Sequence, residues 1–209
     1  IGRLVGSEMC IRDRMNTEQK DIYYLAAENK EMAEGSPHLE VFKKKKLDVL
    51  FLTDPIDTFW LSMAGEFQDR KFVSITKGDI DLTAFSDDKK EKEKKPPAGM
   101  KGLVEKIKEI LGENVQDVKV STKLVDSACC LVAPDTGMDV QMERIMKIQN
   151  KDFKGMPRIL EINPDHNIIK KLNKIKDTDK DALNDASFLL FDQAKMVEGE
   201  LPNLSLIHI

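Results

Sequence analysis

Residues 157–172 (PRILEINPDHNIIKKL) constrain the fold more than any other stretch of the chain. Ile159, Leu160 and Ile162 form a short apolar run, and Asn163-Pro164-Asp165-His166 reads as an abrupt change from strand to helix. Asparagine suits the N-cap because its side chain accepts an orphan backbone N–H. Proline at the first helical position has no N–H to waste, and Asp165 then faces the positive end of the helix dipole. Ile168, Ile169 and Leu172 return the helix onto its strand. The strand therefore belongs inside a sheet. The chain before it reads as sheet and packed helices, and the chain after it as an appended helix in need of a partner.

The first half predicts a parallel α/β unit. Residues 21–28 (DIYYLAAE), 47–52 (LDVLFL) and 72–76 (FVSIT) read as strands. Helices are expected after Asn29, over 36–46 where Ser36 caps and Leu39 and Phe42 share a side, and from Thr53-Asp54-Pro55 through Phe67. Strands alternating with helices need crossover connections, so the neighbours are parallel. Residues 86–97 (SDDKKEKEKKPP) cannot bury apolar area and read as a linker. Beyond it, residues 100–111 make an amphipathic helix closed by Gly112, with Leu103, Val104, Ile107, Ile110 and Leu111 on one stripe. Residues 115–121 alternate as a strand, with 128–132 (ACCLV) as its expected antiparallel partner. A helix over 138–149, the opening strand and helix, and a last helix within 179–199 complete the chain. The fold class is α/β: a small parallel αβα unit, then a mixed α+β domain ending in helices.

Composition excludes several functions. A net charge of −4 gives no global attraction to nucleic acid or anionic membrane. No apolar run approaches the roughly 20 residues that span a bilayer. Three cysteines, of which Cys129 and Cys130 are adjacent, make no secreted disulfide framework and point to a reducing, cytoplasmic compartment. They also lack metal-ligand spacing. His38 and His166 each stand near a helix start, where capping or surface roles are expected, and the lysines at 43–46 complement a helix C-terminus. Asp54 and Asp57 lie at the C-terminal edge of the first sheet, where an α/β enzyme would bind a metabolite, but no glycine-rich loop accompanies them. No catalytic constellation emerges. Residues 1–14 and 204–209 have no period or cap and read as adaptor-like, non-native tails, so Cys10 and His208 carry no chemistry.

Two stretches stand above this background. Met138, Met142, Ile145 and Met146 form a helical stripe opposite Asp139, Glu143, Arg144 and Lys147. Core packing is the ordinary explanation of such a stripe; a surface for varied apolar partners is the other, because methionine is flexible and polarizable. Phe188-Leu189-Leu190-Phe191 occupies every side of a helix, so that segment must be enclosed all round or shared with another chain.

Ser36-Pro37-His38-Leu39-Glu40, residues 47–57 (LDVLFLTDPID), Glu161-Ile162-Asn163-Pro164-Asp165-His166 and residues 188–194 (FLLFDQA) together resemble the ninety-kilodalton heat-shock chaperones of the bacterial HtpG type. The resemblance runs over about residues 15–203. It implies that 15–85 is the end of a middle domain and 98–203 most of a C-terminal dimerisation domain. It also implies a homodimer through Leu183, Ala186, Phe188, Leu189, Leu190, Phe191, Ala194 and Val197. Unfolded client proteins would meet Met138, Met142, Ile145 and Met146, with Phe59 and Trp60 opposite. ATP and Mg would bind a domain upstream of residue 15, leaving this chain without ATPase activity or a cofactor of its own. The family's final helix would follow Asn203, so dimerisation is expected to be weakened.

Overall fold

The computed structural model describes residues 19–54, 56–67, 69–77, 80, 82, 99–134, 143, 146 and 156–200, without the side chains of 58–60 and 62. The expected linker at 86–97 and both tails lie outside these residues. Among them are two sheets with helices, an α/β fold.

The first sheet has the order β2 (Val49–Leu52), β1 (Ile22–Ala26), β4 (Arg70–Ser74), β3 (Glu66–Phe67). Its three main strands are parallel, Tyr23 facing Val49 on one side and Val73 on the other. Helix α1 (Lys30–Gly35) starts where Asn29 accepts the Met32 N–H at 2.9 Å. Ser36 accepts from the His38 N–H and opens a 3-10 turn, Pro37–Leu39, that runs into α2 (Glu40–Lys44). Leu39 and Phe42 share one core with Tyr23, Leu25 and Ile75, and Phe42 meets the Tyr23 ring edge-on at 5.0 Å. The next helix, α3 (Asp57–Ala64), is shorter than the sequence suggests. Gly65, with φ of 60°, turns the chain so that Glu66–Phe67 becomes a hairpin arm against Arg70.

The second sheet corrects an expectation. β5 (Val115–Val120) and β6 (Cys129–Val132) do not pair; β7 (Arg158–Ile162) lies between them, parallel to β5 and antiparallel to β6. All five residues of β7 are buried, whereas β5 alternates with exposed Gln116 and Lys119. A strand buried on both faces gains most from the middle, and that outweighs the proximity of β5 and β6 in sequence. Leu160 and Ile162 face Leu131 and Cys129 and the helices α4 (Met100–Leu111), α5 (Asn167–Ile175) and α6 (Lys180–Val197); Ile159 faces Cys130, Val132 and Leu124 behind. Helix α4 buries Met100, Leu103, Ile107 and Leu111 and stops at Gly112, whose φ of 52° with ψ of −123° only glycine adopts without strain.

Nor is Asn163 a helix cap. His166 is: its Nδ1 accepts the Ile168 N–H at 3.3 Å, and α5 begins at Asn167. Ile169 and Leu172 face the core, but Ile168 is 46% exposed rather than packed on the strand. Asn163 is buried. Its Oδ1 accepts the Asp165 N–H at 3.0 Å, and its Nδ2 donates to the carbonyls of Val125 (3.2 Å) and Ser127 (2.9 Å). A buried amide with three partners contributes more here than at a solvated cap. Asn163→Asp removes both donors and sets a carboxylate against two carbonyl oxygens. The expected cost is about 2–4 kcal/mol, read as a lower urea midpoint with unchanged slope.

Candidate functional site

The loop held by Asn163 is also where the two sheets meet. Glu40 accepts the N–H groups of Val125 (2.6 Å), Asp126 (2.8 Å) and Ser127 (3.0 Å), together with the Ser127 hydroxyl. One carboxylate thus takes the loop's donors while Asn163 takes its carbonyls. Beside this clamp, the Ala133 N–H donates to the Thr76 carbonyl at 3.0 Å, and Lys123 Nζ reaches the Lys77 carbonyl at 2.6 Å. His38 is buried, not surface or capping as its place in the sequence suggests. Its Nε2 is bonded at 3.1 Å to Glu198, just past α6, and its Nδ1 has no hydrogen-bond partner.

Helix α6 carries the segment expected to need a partner. Asp179 accepts the Ala182 N–H at 3.0 Å to start it, and Gly199, with φ of 76°, ends it. Leu183, Leu190, Phe191 and Ala194 lie in the chain's own core, with Phe188 and Ala186 half-buried beside them. Leu189 is 70% exposed, and Met196 and Val197 lie seven and eight residues on, also exposed. The four-residue apolar run is therefore divided. Most of it closes the subunit, and Leu189, Met196 and Val197 form an outward apolar stripe at helical spacing.

Of the methionine helix, Glu143 and Met146 are described, and both are helical. Residues three apart are neighbours on a helix surface, so the two differ in depth and not in face. Glu143 is 4% exposed, although the sequence puts it on the solvated side, and Met146 is 36% exposed. Arg158 accounts for the buried acid, for its Nη2 lies 3.6 Å from Glu143 and 2.8 Å from Glu200. The helical pattern alone does not reveal this; the signal that could is an arginine heading an apolar strand, which requires an acid to come inward. Met138, Met142 and Ile145 lie outside the described residues. Phe59 and Trp60 belong to the backbone of α3, where Leu61 packs on Ala26 and Leu52; Met63 within the helix, Ile56 before it and Phe67 on β3 are exposed.

The remaining candidates carry no chemistry of note. Asp54 accepts the Ile56 N–H at 3.0 Å, a turn contact, and Asp57 is buried in the first turn of α3. Cys129 and Cys130 point to opposite faces of β6; burial pushes the Cys129 thiol up to about 12 and raises Cys130 well above the usual range, so neither is a nucleophile. Among the described residues no group of acids, histidines and cysteines could hold a metal, and no helix is long and apolar enough to cross a membrane.

Comparison with known proteins fits this arrangement. A family model described as Hsp90 protein matches residues 11–202. The match begins inside the segment read as a non-native tail. The chaperone protein HtpG of Burkholderia ambifaria is 42% identical over 186 residues, 89% of this chain and 29% of that protein. The same protein of Burkholderia cenocepacia gives the same identity and coverage. The chain thus spans 29% of the length of these curated relatives. On the family match and these identities, the chain belongs to the Hsp90 protein family.

Proposed function

We propose that this chain is the client-holding and self-pairing part of a molecular chaperone. One observation carries the reading: α6 buries Leu190 and Phe191 in its own core and leaves Leu189, Met196 and Val197 exposed, an apolar stripe that the subunit does not cover. An outward, polarizable side chain suits exposed apolar segments of many shapes. The mechanism is reversible burial, in which apolar area of an unfolded chain leaves water against Met146 and its neighbours. A second copy would meet the Leu189, Met196 and Val197 stripe, giving a homodimer with two client surfaces. The nucleotide cycle of the whole protein, with ATP and Mg, is assigned to a domain other than the two described. The compartment proposed is the cytoplasm, in keeping with the unpaired buried cysteines.

The test is binding of a permanently unfolded, reduced and alkylated protein, followed by fluorescence anisotropy. Substituting Glu for Met146 should weaken binding about tenfold, since one buried methionine side chain is worth roughly 1.5–3 kcal/mol. Met142→Glu should act alike. Unchanged affinity in both variants would remove the client role and leave an architectural pairing module.

A further inference from the structure

We propose that Asp117 holds shut the open edge of the second sheet, so that no further strand, in first place β5 of a second copy, pairs there. The guard stands on geometry alone, and its sense for function rests on the client-holding reading. In the order β5, β7, β6, the β6 side runs into the first unit, where Ala133 bridges to Lys77 in parallel. β5 is the other edge, and among the described residues no strand lies beyond it. Such an edge offers a row of N–H and carbonyl groups to any extended chain. The Ser121 N–H donates to the Ile162 carbonyl at 2.8 Å. Backbone groups alternate along a strand, so Asp117, Lys119 and Ser121 turn theirs to β7, and Val118 and Val120 turn theirs outward.

Asp117 closes this edge at its middle. Its Oδ1 accepts the Val118 N–H at 2.9 Å, which takes away a donor that an incoming strand needs. Lys108 Nζ, from α4, lies 2.9 Å from the same oxygen and fixes the carboxylate there. That hydrogen bond also holds the Asp117 carboxyl below the usual carboxylate range, so at neutral pH the acceptor carries its full charge. Just upstream the register shifts: Val115 stands opposite Arg158 and Asp117 opposite Ile159, leaving Gln116 as the extra residue of a bulge. A bulge bends and twists an edge away from flat pairing. An antiparallel pairing of β5 with itself, centred on Val118, must exchange each Val118 N–H for the opposite Val118 carbonyl, and the captured N–H forbids it. A chain that holds unfolded segments through side chains has the same need, because backbone pairing ignores sequence and retains whatever extended segment it meets.

The test is self-association of the full 209-residue chain, measured by sedimentation in a Leu189→Glu background that removes the outward stripe of α6. Asp117→Ala frees the Val118 N–H without adding much apolar surface, and Asp117→Val adds strand preference as well. Both should associate at a concentration at least about tenfold below that of the background chain, the worth of one or two net hydrogen bonds. Association should slow hydrogen exchange at the Val118 and Val120 amides relative to the same variant diluted. Asp117→Asn keeps an acceptor oxygen in place and should stay near the background. Adding Val120→Pro to the alanine variant removes an outward N–H, leaves the bonds to β7 and should restore the background, to which general stickiness would not respond. Equal association of the asparagine and alanine variants, or no gain with alanine and valine, overturns the inference. Association that leaves the two amides exchanging as before does so too. If valine does not fold, alanine decides; if neither folds, Asp117 is needed for folding and the guard is refuted. Reporter binding is a separate readout. An edge opened by Asp117→Ala, with binding unchanged by Met146→Glu, refutes the client reading and keeps the guard; an unopened edge with binding lost does the opposite.

Discussion

Replacing Glu40 with alanine is expected to split the unfolding of this chain into two transitions. The carboxylate receives three backbone N–H groups and a hydroxyl from residues 125–127, some 85 residues away in sequence. Alanine leaves the half-buried Ser127 donors without their acceptor, returns the exposed Val125 and Asp126 N–H groups to water and loses hydrogen bonds to a charged acceptor, worth together about 2–3 kcal/mol. Because the contact joins the two sheets, the loss falls on their coupling and not on either core. The chain carries its own reporters. Tyr23 and Tyr24, the two tyrosines and both on β1, follow the first unit by fluorescence, and exposure of Cys129 and Cys130 to a thiol reagent follows the second. In the parent both should change at one urea concentration; in Glu40→Ala their midpoints should separate by about 1 M, given slopes of a few kcal/mol per molar. Glu40→Gln keeps the shape without the charge and should fall between. Coincident midpoints in the alanine variant would show that the other contacts of the junction couple the units without Glu40.

The second large effect distinguishes the two sides of α6. Phe191 is buried against the second core, so Phe191→Ala opens a cavity and should cost about 3–5 kcal/mol. For a domain of this size that lowers Tm by roughly 10–15 °C. Leu189, two residues earlier and mostly exposed, should behave otherwise. Leu189→Glu is expected to change stability by less than about 0.5 kcal/mol, while abolishing any self-association seen by sedimentation. A drop in Tm as large as that of Phe191→Ala would mean that Leu189 is covered within one subunit. Unaltered sedimentation of a dimer would place the pairing surface elsewhere.

These contrasts also mark where the sequence is legible. Strand and helix positions are readable wherever period and caps agree, as at Asn29, Ser36, Gly112 and Asp179. Strand pairing is not, because the apolar content of β7 says that it is central but not which strands flank it. Asn163 misleads for a related reason. A side chain that can cap a helix can equally bond a distant loop, and only the approach of residues 125–127 decides between them. Glu143 reads as solvated because the cation that draws it inward comes from another element. The stripe and the four-residue apolar run are visible as anomalies, while the orientation of the run depends on the packing of α6. The family resemblance supplies roles for these residues, and it does not supply the clamp or the buried charge.

The pairing of Ala133 with Thr76 has a different character from the clasps beside it. Main-chain atoms make it, so substitutions at either position leave it in place, proline at 133 excepted, since that residue alone lacks the donor. Sequence drift can therefore slacken the junction by editing Glu40, Lys123 or His38, yet the backbone seam persists as a pivot. Variants of this junction should differ in how far the halves swing, and seldom in whether they stay attached.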